Sequence, residues 1–230
     1  MGERRVRTTP QPSDLAEDRA AVLKLMAVSR ETAARLDHFT ALLLEQQQRM
    51  NLVANSTLPL LWTRHIADSL QLLRFAPKAR IWVDLGSGAG FPGLVMACAL
   101  ADTPGATVHL VESIRKKCAF LSEVVRATRV PAVVHCQRIE DFVLKPPSGI
   151  DVVTARALAP LDKLLTLAAP LLKTGAVGIF PKGQDVAAEL TAASKYWSIE
   201  ATIEPSVTSP GSGIVVVHKL RPRSASPLHG

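Results

Sequence analysis

Apolar residues recur at helical spacing in the first third of the chain. The spacing over 13–28 predicts one helix, and Ser29 is placed to cap a second. Residues 51–57 interrupt the pattern, and a third helix is predicted over 59–75. The region 13–78 is therefore expected to be all helical and to pack on the domain that follows. The apolar face of the second helix is formed by Leu36, Phe39 and Leu43.

From Arg80 onward, short apolar runs alternate with helical stretches of roughly 10 to 15 residues, a length typical of βαβ units. The strands are predicted at 80–84, 106–111, 132–136, 150–154, 175–180, 199–204 and 213–218. The helices between them are predicted at 92–101, 113–128, 160–172 and 184–196. This alternation favours a Rossmann-like α/β fold with a mostly parallel, seven-stranded sheet. Because no helix separates the last two strands, they are expected to form an antiparallel hairpin at the sheet edge.

The two ends of the chain differ from the rest in composition. Residues 1–12 are charged and contain proline, so we expect them to be disordered, and 221–230 read as a flexible Pro- and Ser-rich tail. Between them, 79–220 form the predicted sheet domain. A chain of 230 residues can bury one sizeable core with a small appendage.

Composition and charge narrow the class of protein. An apolar content of 47% without a long uncharged apolar run predicts a soluble, cytoplasmic protein with no membrane span. Three cysteines without paired spacing indicate neither a disulfide framework nor a zinc site, and no metal is expected. The formal charge of +7 favours a polyanionic partner. Since the chain has one Tyr and three Trp, such a partner is expected to be held by phosphate contacts and shape.

The most informative stretch is DLGSGAGFPG at 84–93, directly after the first predicted strand. Its glycines, Gly86, Gly88 and Gly90, allow a sharp turn and close approach of the backbone to a ligand. Asp84 would repel the pyrophosphate of a dinucleotide but would favour a ligand with a cationic centre and an amino-acid tail. S-adenosylmethionine (SAM) is such a ligand, so the loop indicates a methyltransferase.

In an open α/β sheet, ligands bind beyond the carboxyl ends of the strands. Residues at those ends are therefore further candidates for cofactor binding. Glu112 ends the second strand, where an acid can bind both ribose hydroxyls or cap the next helix. After the third strand, Ile139 can flank an adenine ring while Glu140 meets its edge. A solvated acidic turn is the alternative at that place.

The fourth strand delivers Arg156 to the side of the sheet that faces the substrate. No Asn/Asp-Pro-Pro-aromatic loop for amine methylation is present, and no cysteine is placed for carbon methylation of a pyrimidine. What remains is a nucleophile that needs neither covalent help nor deprotonation, and N7 of guanine qualifies because its lone pair is free. Alignment and proximity would then provide most of the catalysis.

Other polar residues are candidates for the substrate side. Arg64, His65 and Asp68 lie on the predicted third helix, where His65 and Asp68 share a face. A packed structural pair is the alternative reading of these two. Lys182 follows the fifth strand and, with Arg156 and the basic run at 115–117, is a candidate for a phosphate-contacting rim. The alternative for the basic run is a solvated helix face.

Taken together, these motifs resemble the RsmG (GidB) family of bacterial small-subunit ribosomal RNA methyltransferases. The similarity covers about 36–219, and its specific elements are NL at 51–52, RHIADS at 64–69, DLGSGAGFPG at 84–93, RA at 156–157 and KGQ at 182–184. The resemblance implies a SAM-dependent methyltransferase fold preceded by helices. It also implies methylation of N7 of one guanine in 16S rRNA.

By motif position, the family's SAM contacts fall on Gly86, Phe91, Ile139, Glu140 and Arg156. The implied partner is 16S rRNA or the small ribosomal subunit, and we expect the protein to be a monomer. Three alternatives remain at this point. One is a methyltransferase acting on a protein or small molecule. Another is an NAD(P)-binding oxidoreductase, because Gly88, Gly90 and Gly93 also satisfy G-x-G-x-x-G. The third is a SAM-binding RNA chaperone or assembly factor without catalysis.

Overall fold

The protein is represented by a computed structural model that describes residues 12–223. Two helices open this part of the chain, α1 (Pro12–Leu25) and α2 (Arg30–Gln47). Ser29 caps α2 as predicted, because its side chain accepts a hydrogen bond from the backbone N–H of Thr32 at 3.0 Å. The predicted disorder of 1–11 lies outside the described residues, whereas Pro12 is already helical and corrects that boundary.

The segment 55–75 is helical, but it is not the regular third helix that the sequence predicts. A 3-10 stretch at Asn55–Leu60 is followed by a π-helical turn at Trp62–Ala67, the short α3 (Asp68–Leu70) and a second 3-10 stretch at Gln71–Phe75. Pro59 lies inside the first stretch, where it has no N–H to donate to a helical hydrogen bond. The carboxylate of Asp18 accepts hydrogen bonds from the N–H groups of Trp62 and Thr63, the role that carbonyl groups of a preceding helical turn have in a regular helix.

The remainder of the described chain is an α/β domain, which confirms the predicted fold class. Its elements in chain order are β1 (Ile81–Leu85), α4 (Gly93–Leu100), β2 (Thr107–Glu112), α5 (Arg115–Thr128), β3 (Ala132–Cys136), α6 (Ile139–Phe142), β4 (Val152–Thr154), α7 (Leu161–Leu172), β5 (Val177–Lys182), α8 (Val186–Ala193), β6 (Trp197–Pro205) and β7 (Gly213–Pro222). The seven strands form one sheet in the order β3-β2-β1-β4-β5-β7-β6. The first five strands pair in parallel, and β7 pairs antiparallel with both β5 and β6.

Two boundaries at the end of the domain differ from prediction. Strand β7 continues through Pro222 because β6 begins at Trp197 and offers it a partner along its whole length. The predicted flexible tail therefore does not begin at 221, and its remaining residues 224–230 lie outside the described part of the chain. The four-residue helix α6 was not predicted, since four residues are too few for a periodic signal.

One apolar layer lies on each face of the sheet. On one face, α2, α4 and α5 pack around Trp82, Phe39 and Leu110, all fully buried. On the other face, α7 packs on Val153 and Phe180. Phe39 of α2 lies 5.2 Å from the ring of Phe91 in the glycine loop, so the leading helices share their core with the loop. The carboxyl ends of β1, β2, β4 and β5 are left open at one edge.

Candidate functional site

A cavity of about 970 Å³ lies at this edge of the sheet. It is lined by the glycine loop, the ends of β2, β4 and β5, α6, the segment 57–68 and the loop between β6 and β7. The predicted site residues that line it are Arg64, His65, Asp68, Gly86, Gly88, Phe91, Glu112, Ile139, Glu140, Arg156 and Lys182. Asp84 and Gly90 are the predicted residues that lie behind this lining.

The glycine loop holds its shape through backbone geometry and one close approach. Gly90 has a φ of +97°, and a Cβ there would lie 2.4 Å from Leu94 Cδ1. A Cβ on Gly93 would lie 2.6 Å from the carboxylate Oδ2 of Asp84. Neither position tolerates a side chain without movement, so the loop stays close to the end of β1. Its backbone is also tied to β2, because Gly86 donates to the carbonyl of Val111 at 2.9 Å.

Asp84 is fully buried beneath the loop. Its Oδ2 accepts a hydrogen bond from the N–H of Gly93 at 3.0 Å. Within residues 12–223, its Oδ1 has no hydrogen-bond partner. Burial raises the pKa of Asp84 from 3.8 to about 7, although the hydrogen bonds and the Arg156 charge oppose this rise. A buried carboxyl with a free oxygen is a group that a nearby cation would stabilise.

Glu112 links the end of β2 to the glycine loop. Its Oε2 accepts from the N–H of Gly88 at 3.0 Å, and its Oε1 accepts from the N–H of Ile114 at 2.8 Å. The carboxylate therefore fixes the loop and also accepts from the first free N–H before α5, which is the predicted capping contact. Its binding of ribose hydroxyls stays a prediction. Each oxygen keeps a further lone pair toward the cavity that Glu112 lines.

Ile114 is a cavity residue that the sequence reasoning missed. Half of its surface is exposed, and it lines the cavity beside Glu112. Ile139 lines the same end from α6, so two apolar side chains and the exposed Glu140 surround this part of the cavity. The signal that could have found Ile114 is an apolar residue two positions after the acid of β2, where a solvated turn is polar.

Arg156 is the centre of the other end of the cavity. One guanidinium nitrogen donates to the carbonyl of Arg64 at 3.1 Å and lies 3.5 Å from the carboxylate of Asp68. The other donates to His65 Nδ1 at 2.7 Å. The guanidinium also lies over the ring of Phe91, 5.2 Å from its centre. The structure thus brings together Arg64, His65, Asp68 and Arg156, which lie about 90 residues apart in sequence.

His65 is neutral in this arrangement. Burial lowers its pKa from 6.5 to about 3, and the charges of Arg156 and Arg64 lower it further in the same direction. Since Nδ1 accepts from Arg156, the ring proton is assigned to Nε2, which donates to Thr57 Oγ1 at 2.9 Å. The ring stacks on Phe91 with 4.8 Å between centres. Both ring nitrogens are therefore engaged.

The loop between β6 and β7 closes this end, and its role was not predicted. Gln71 is almost fully buried, and its amide oxygen accepts from the N–H of Val207 at 2.9 Å. Asp68 Oδ1 accepts from Thr208 Oγ1 at 2.8 Å and from Gln71 Nε2 at 2.9 Å. Ser206, like Thr208, lines the cavity. These contacts join residues about 135 positions apart, a distance at which sequence spacing gives no signal.

Lys182 is held by the protein itself. Its Nζ donates to the carbonyl of Ala159 at 2.9 Å and pairs with Glu189 at 2.7 Å, and its side chain is 10% exposed. Arg156 is likewise paired with Asp68 and 19% exposed. Both cations are therefore already paired with carboxylates, and their part in a phosphate-contacting rim stays a prediction. Of the basic run at 115–117, only Lys117 lines the cavity.

Residues 12–223 contain neither a membrane-spanning helix nor a metal-binding cluster. No helix there is long and apolar enough to cross a membrane. The same residues contain no group of three or more His, Cys, Asp or Glu side chains arranged to hold a metal ion.

A comparison with protein families shows which family the chain belongs to. The model of the GidB family, described as rRNA small subunit methyltransferase G, matches residues 32–215, which is most of the chain. The chain belongs to the GidB family. The family resemblance found in the sequence is thereby confirmed, and neither the oxidoreductase nor the methyltransferase of a protein or small molecule is favoured.

Two relatives resemble the GidB family member over 90% or more of their own length. The "Ribosomal RNA small subunit methyltransferase G" of Bradyrhizobium sp. strain BTAi1 is 61% identical over 202 residues, which cover 88% of this chain and 90% of the relative. The protein of the same name from Rhodopseudomonas palustris strain BisB18 is 50% identical and covers 98% of this chain and 97% of its own.

Among solved structures, the O-methyltransferase from Bacillus cereus in complex with SAH shares the fold. The TM-score is 0.56 at 13% identity, over 89% of this chain and 97% of that one. At this identity the likeness shows that the GidB family member shares the fold of that protein. The GidB match begins at residue 32, so helix α1 lies outside it.

Proposed function

We propose that the protein is a SAM-dependent methyltransferase that methylates N7 of a guanine in 16S rRNA. The observation that carries the proposal is that one cavity of a GidB family member has two chemically different ends. Its one end is built from the glycine loop, Glu112 and Ile139, and its other end is built around Arg156 and His65. The first end suits a nucleoside-type cofactor, and the second offers polar groups without a free proton acceptor.

The residues at the first end fit SAM. Glu112 keeps lone pairs for the ribose hydroxyls, and Ile114 and Ile139 provide apolar surfaces for the two faces of adenine. Glu140 lies where the adenine edge would be read. The unpartnered oxygen of Asp84 lies below the loop, and a bound cofactor with cationic groups would favour the ionised form of this carboxyl. When bound, SAM supplies an electrophilic methyl group on a sulfonium.

The second end suits a nucleophile that loses no proton. His65 is not free to act as a base because Nδ1 accepts from Arg156. Asp68 accepts from Thr208, Gln71 and Arg156, so its carboxylate is also engaged. N7 of guanine carries an available lone pair, and its methylation needs no general base. The residues at this end then act by holding the base in line with the methyl group and by excluding water.

The cations that we expect to contact RNA phosphates are those on the cavity lining and its mouth. Arg64 and Arg138 are exposed there, and Lys117 is partly exposed. Together with the net charge of +7, they favour a polyanionic substrate. Lys182 remains a proposed substrate-side residue, acting through its contact with the Ala159 carbonyl rather than as a free cation. We expect a monomer that acts in the cytoplasm without a metal.

The test uses the whole protein with labelled SAM and three substrates: undermethylated small subunits, free 16S rRNA and total tRNA. Nucleoside analysis is expected to give 7-methylguanosine from one of the first two. Arg156→Ala is expected to lower the rate by at least about tenfold, because it removes the group that orders the substrate end. The matched control Arg126→Ala changes an exposed arginine of α5 and should leave the rate unchanged.

Label on adenine, or on tRNA alone, would overturn the substrate assignment. A thermal-shift measurement tests the cofactor separately. Stabilisation by S-adenosylhomocysteine is expected, and stabilisation by NADH in its place would refute the cofactor assignment.

A further inference from the structure

Asp18 is a buried carboxylate of α1 whose partners all lie in the segment that carries Arg64 and His65. It is 6% exposed. Its Oδ2 accepts from the N–H of Trp62 at 2.7 Å and of Thr63 at 3.2 Å. Its Oδ1 accepts from the hydroxyl of Thr63 at 2.5 Å. A single side chain therefore satisfies three donors at the start of the π-helical turn.

That turn needs an outside acceptor. Leu61 stands at its N-cap position and has no side-chain oxygen to offer, and the 3-10 stretch before it has a different hydrogen-bond spacing. Trp62 is 3% exposed, so water cannot replace a lost acceptor at its N–H. A buried, unpaired N–H costs about 1–3 kcal/mol, which is enough to favour a change in the local helical register.

The capped turn holds both groups that orient Arg156 from this side. The carbonyl of Arg64 and Nδ1 of His65 follow Thr63 directly, and they accept from the two terminal nitrogens of Arg156 at 3.1 and 2.7 Å. A register change at Trp62 and Thr63 would move both acceptors at once. Glu112 at the cofactor end has supports of its own, the N–H groups of Gly88 and Ile114, and the network touches the glycine loop through the ring of Phe91.

We propose that Asp18 is a positioning residue for the substrate end of the cavity: through the turn at Trp62–Ala67 it fixes the acceptors that orient Arg156. This inference rests on the proposed function and extends it to α1, which lies outside the matched family region. Helix α1 thereby contributes to the site without touching the cavity. Among α1 residues, Asp18 is the one that hydrogen-bonds to this turn in the described part of the chain, and the Arg19 guanidinium lies 5.5 Å from the centre of the Trp62 ring.

The test compares Asp18→Ala with Asp18→Asn and with two controls. Glu17→Ala changes an exposed acid of the same helix. Asp37→Ala removes the paired hydrogen bonds at 2.6 and 2.8 Å that tie Arg19 of α1 to α2, but leaves the cap in place. For Asp18→Ala we expect at least a tenfold lower kcat on small-subunit rRNA, with the affinity for S-adenosylhomocysteine within twofold of wild type.

Asp18→Asn should keep more of the rate than Asp18→Ala. The amide oxygen of the asparagine still accepts from the N–H of Trp62, and its amide NH₂ can donate to the hydroxyl of Thr63. Two readouts do not depend on activity. Amide exchange at 62–66 should be faster in Asp18→Ala, and NMR titration of His65, whose pKa is about 3 in the intact network, should show a higher value. Neither change is expected in the two controls.

Three results would overturn the inference. They are wild-type kcat in Asp18→Ala, an equal effect of Asp37→Ala, and a loss of S-adenosylhomocysteine affinity as large as the loss of kcat. If Asp18→Ala does not fold, the same readouts on Asp18→Asn decide. Inactivity of the wild type toward rRNA would refute the proposed function alone, since the exchange and titration measurements would still test the positioning.

Discussion

At the scale of single residues, the site depends on carboxylates that the protein itself has largely satisfied. Each carboxylate oxygen of Glu112 accepts a hydrogen bond from a backbone N–H, whereas one oxygen of Asp84 has no hydrogen-bond partner among the described residues. Both were expected from their places at strand ends, because a carboxylate after a parallel strand reaches the ligand edge. Their partners were not predictable, since Gly88 and Glu112 meet only when β1 and β2 pair.

Replacing Glu112 with alanine should weaken binding of S-adenosylhomocysteine by about 10- to 100-fold. The physical reason is the loss of charged acceptors for Gly88 and Ile114, each worth about 1.5–3 kcal/mol in such a setting. Affinity for rRNA should change less than twofold. Isothermal titration measures the first effect and filter binding the second. Asp141→Ala, an exposed acid of α6, is the control, and equal losses of both affinities would contradict the prediction.

Asp84 should make stability fall as pH rises from about 4 to 7. Its pKa is about 7 in the folded state against 3.8, because burial disfavours the charge. In that window the folded protein holds a proton that the unfolded chain lacks, so the free energy of unfolding decreases by up to about 1.4 kcal/mol per pH unit. Urea unfolding of wild type and Asp84→Asn at several pH values isolates this contribution. A difference between them that is constant from pH 4.5 to 7 would refute it.

At the scale of elements, the substrate end is made where two irregular segments meet. The turns over 55–75 and the loop between β6 and β7 are joined through Asp68 and Gln71. Apolar spacing correctly predicted helical structure over 59–75 and a loop after β6. It could not predict the π-helical turn, whose first N–H group has its acceptor, Asp18, 44 residues earlier in the chain.

Gln71→Ala should loosen the loop between β6 and β7. It removes the acceptor for Val207 and the donor to Asp68, so a loss of about 1–3 kcal/mol in the free energy of unfolding is expected. Amide exchange over 206–209 should accelerate and rRNA methylation should slow, while the affinity for S-adenosylhomocysteine stays within twofold. Gln48→Ala changes an exposed glutamine at the end of α2 and should do neither. Unchanged exchange over 206–209 would be evidence against this coupling.

At the scale of the whole molecule, the leading helices and the sheet domain share an apolar layer. Phe39 of α2 contacts Phe91 of the glycine loop at 5.2 Å and Phe120 of α5 at 6.5 Å between ring centres. An ion pair between Arg35 and Asp102 also joins α2 to the residues after α4, but it is exposed. Buried aromatic contacts outweigh an exposed ion pair in stability, so we expect 13–78 and 79–220 to unfold together.

Phe39→Ala should lower the free energy of unfolding by about 3–5 kcal/mol, whereas Arg35→Ala should lower it by less than about 1 kcal/mol. Urea unfolding followed by tryptophan fluorescence measures both, since Trp62 and Trp82 report from the two regions. A single transition is expected in the wild type. Two separate transitions, or an effect of Phe39→Ala no larger than that of Arg35→Ala, would show that the regions are energetically independent.

The sequence by itself determined the order of helices and strands, the cofactor edge of the sheet and the family of the protein. These depend on local spacing and on motifs such as DLGSGAGFPG, in which neighbouring residues act together. The tertiary structure decided the pairing of Arg156 with His65, the neutralisation of Lys182 by Glu189 and the cap that Asp18 provides. Those contacts join distant residues, and only the folded chain sets whether a charged side chain meets substrate or a partner of its own.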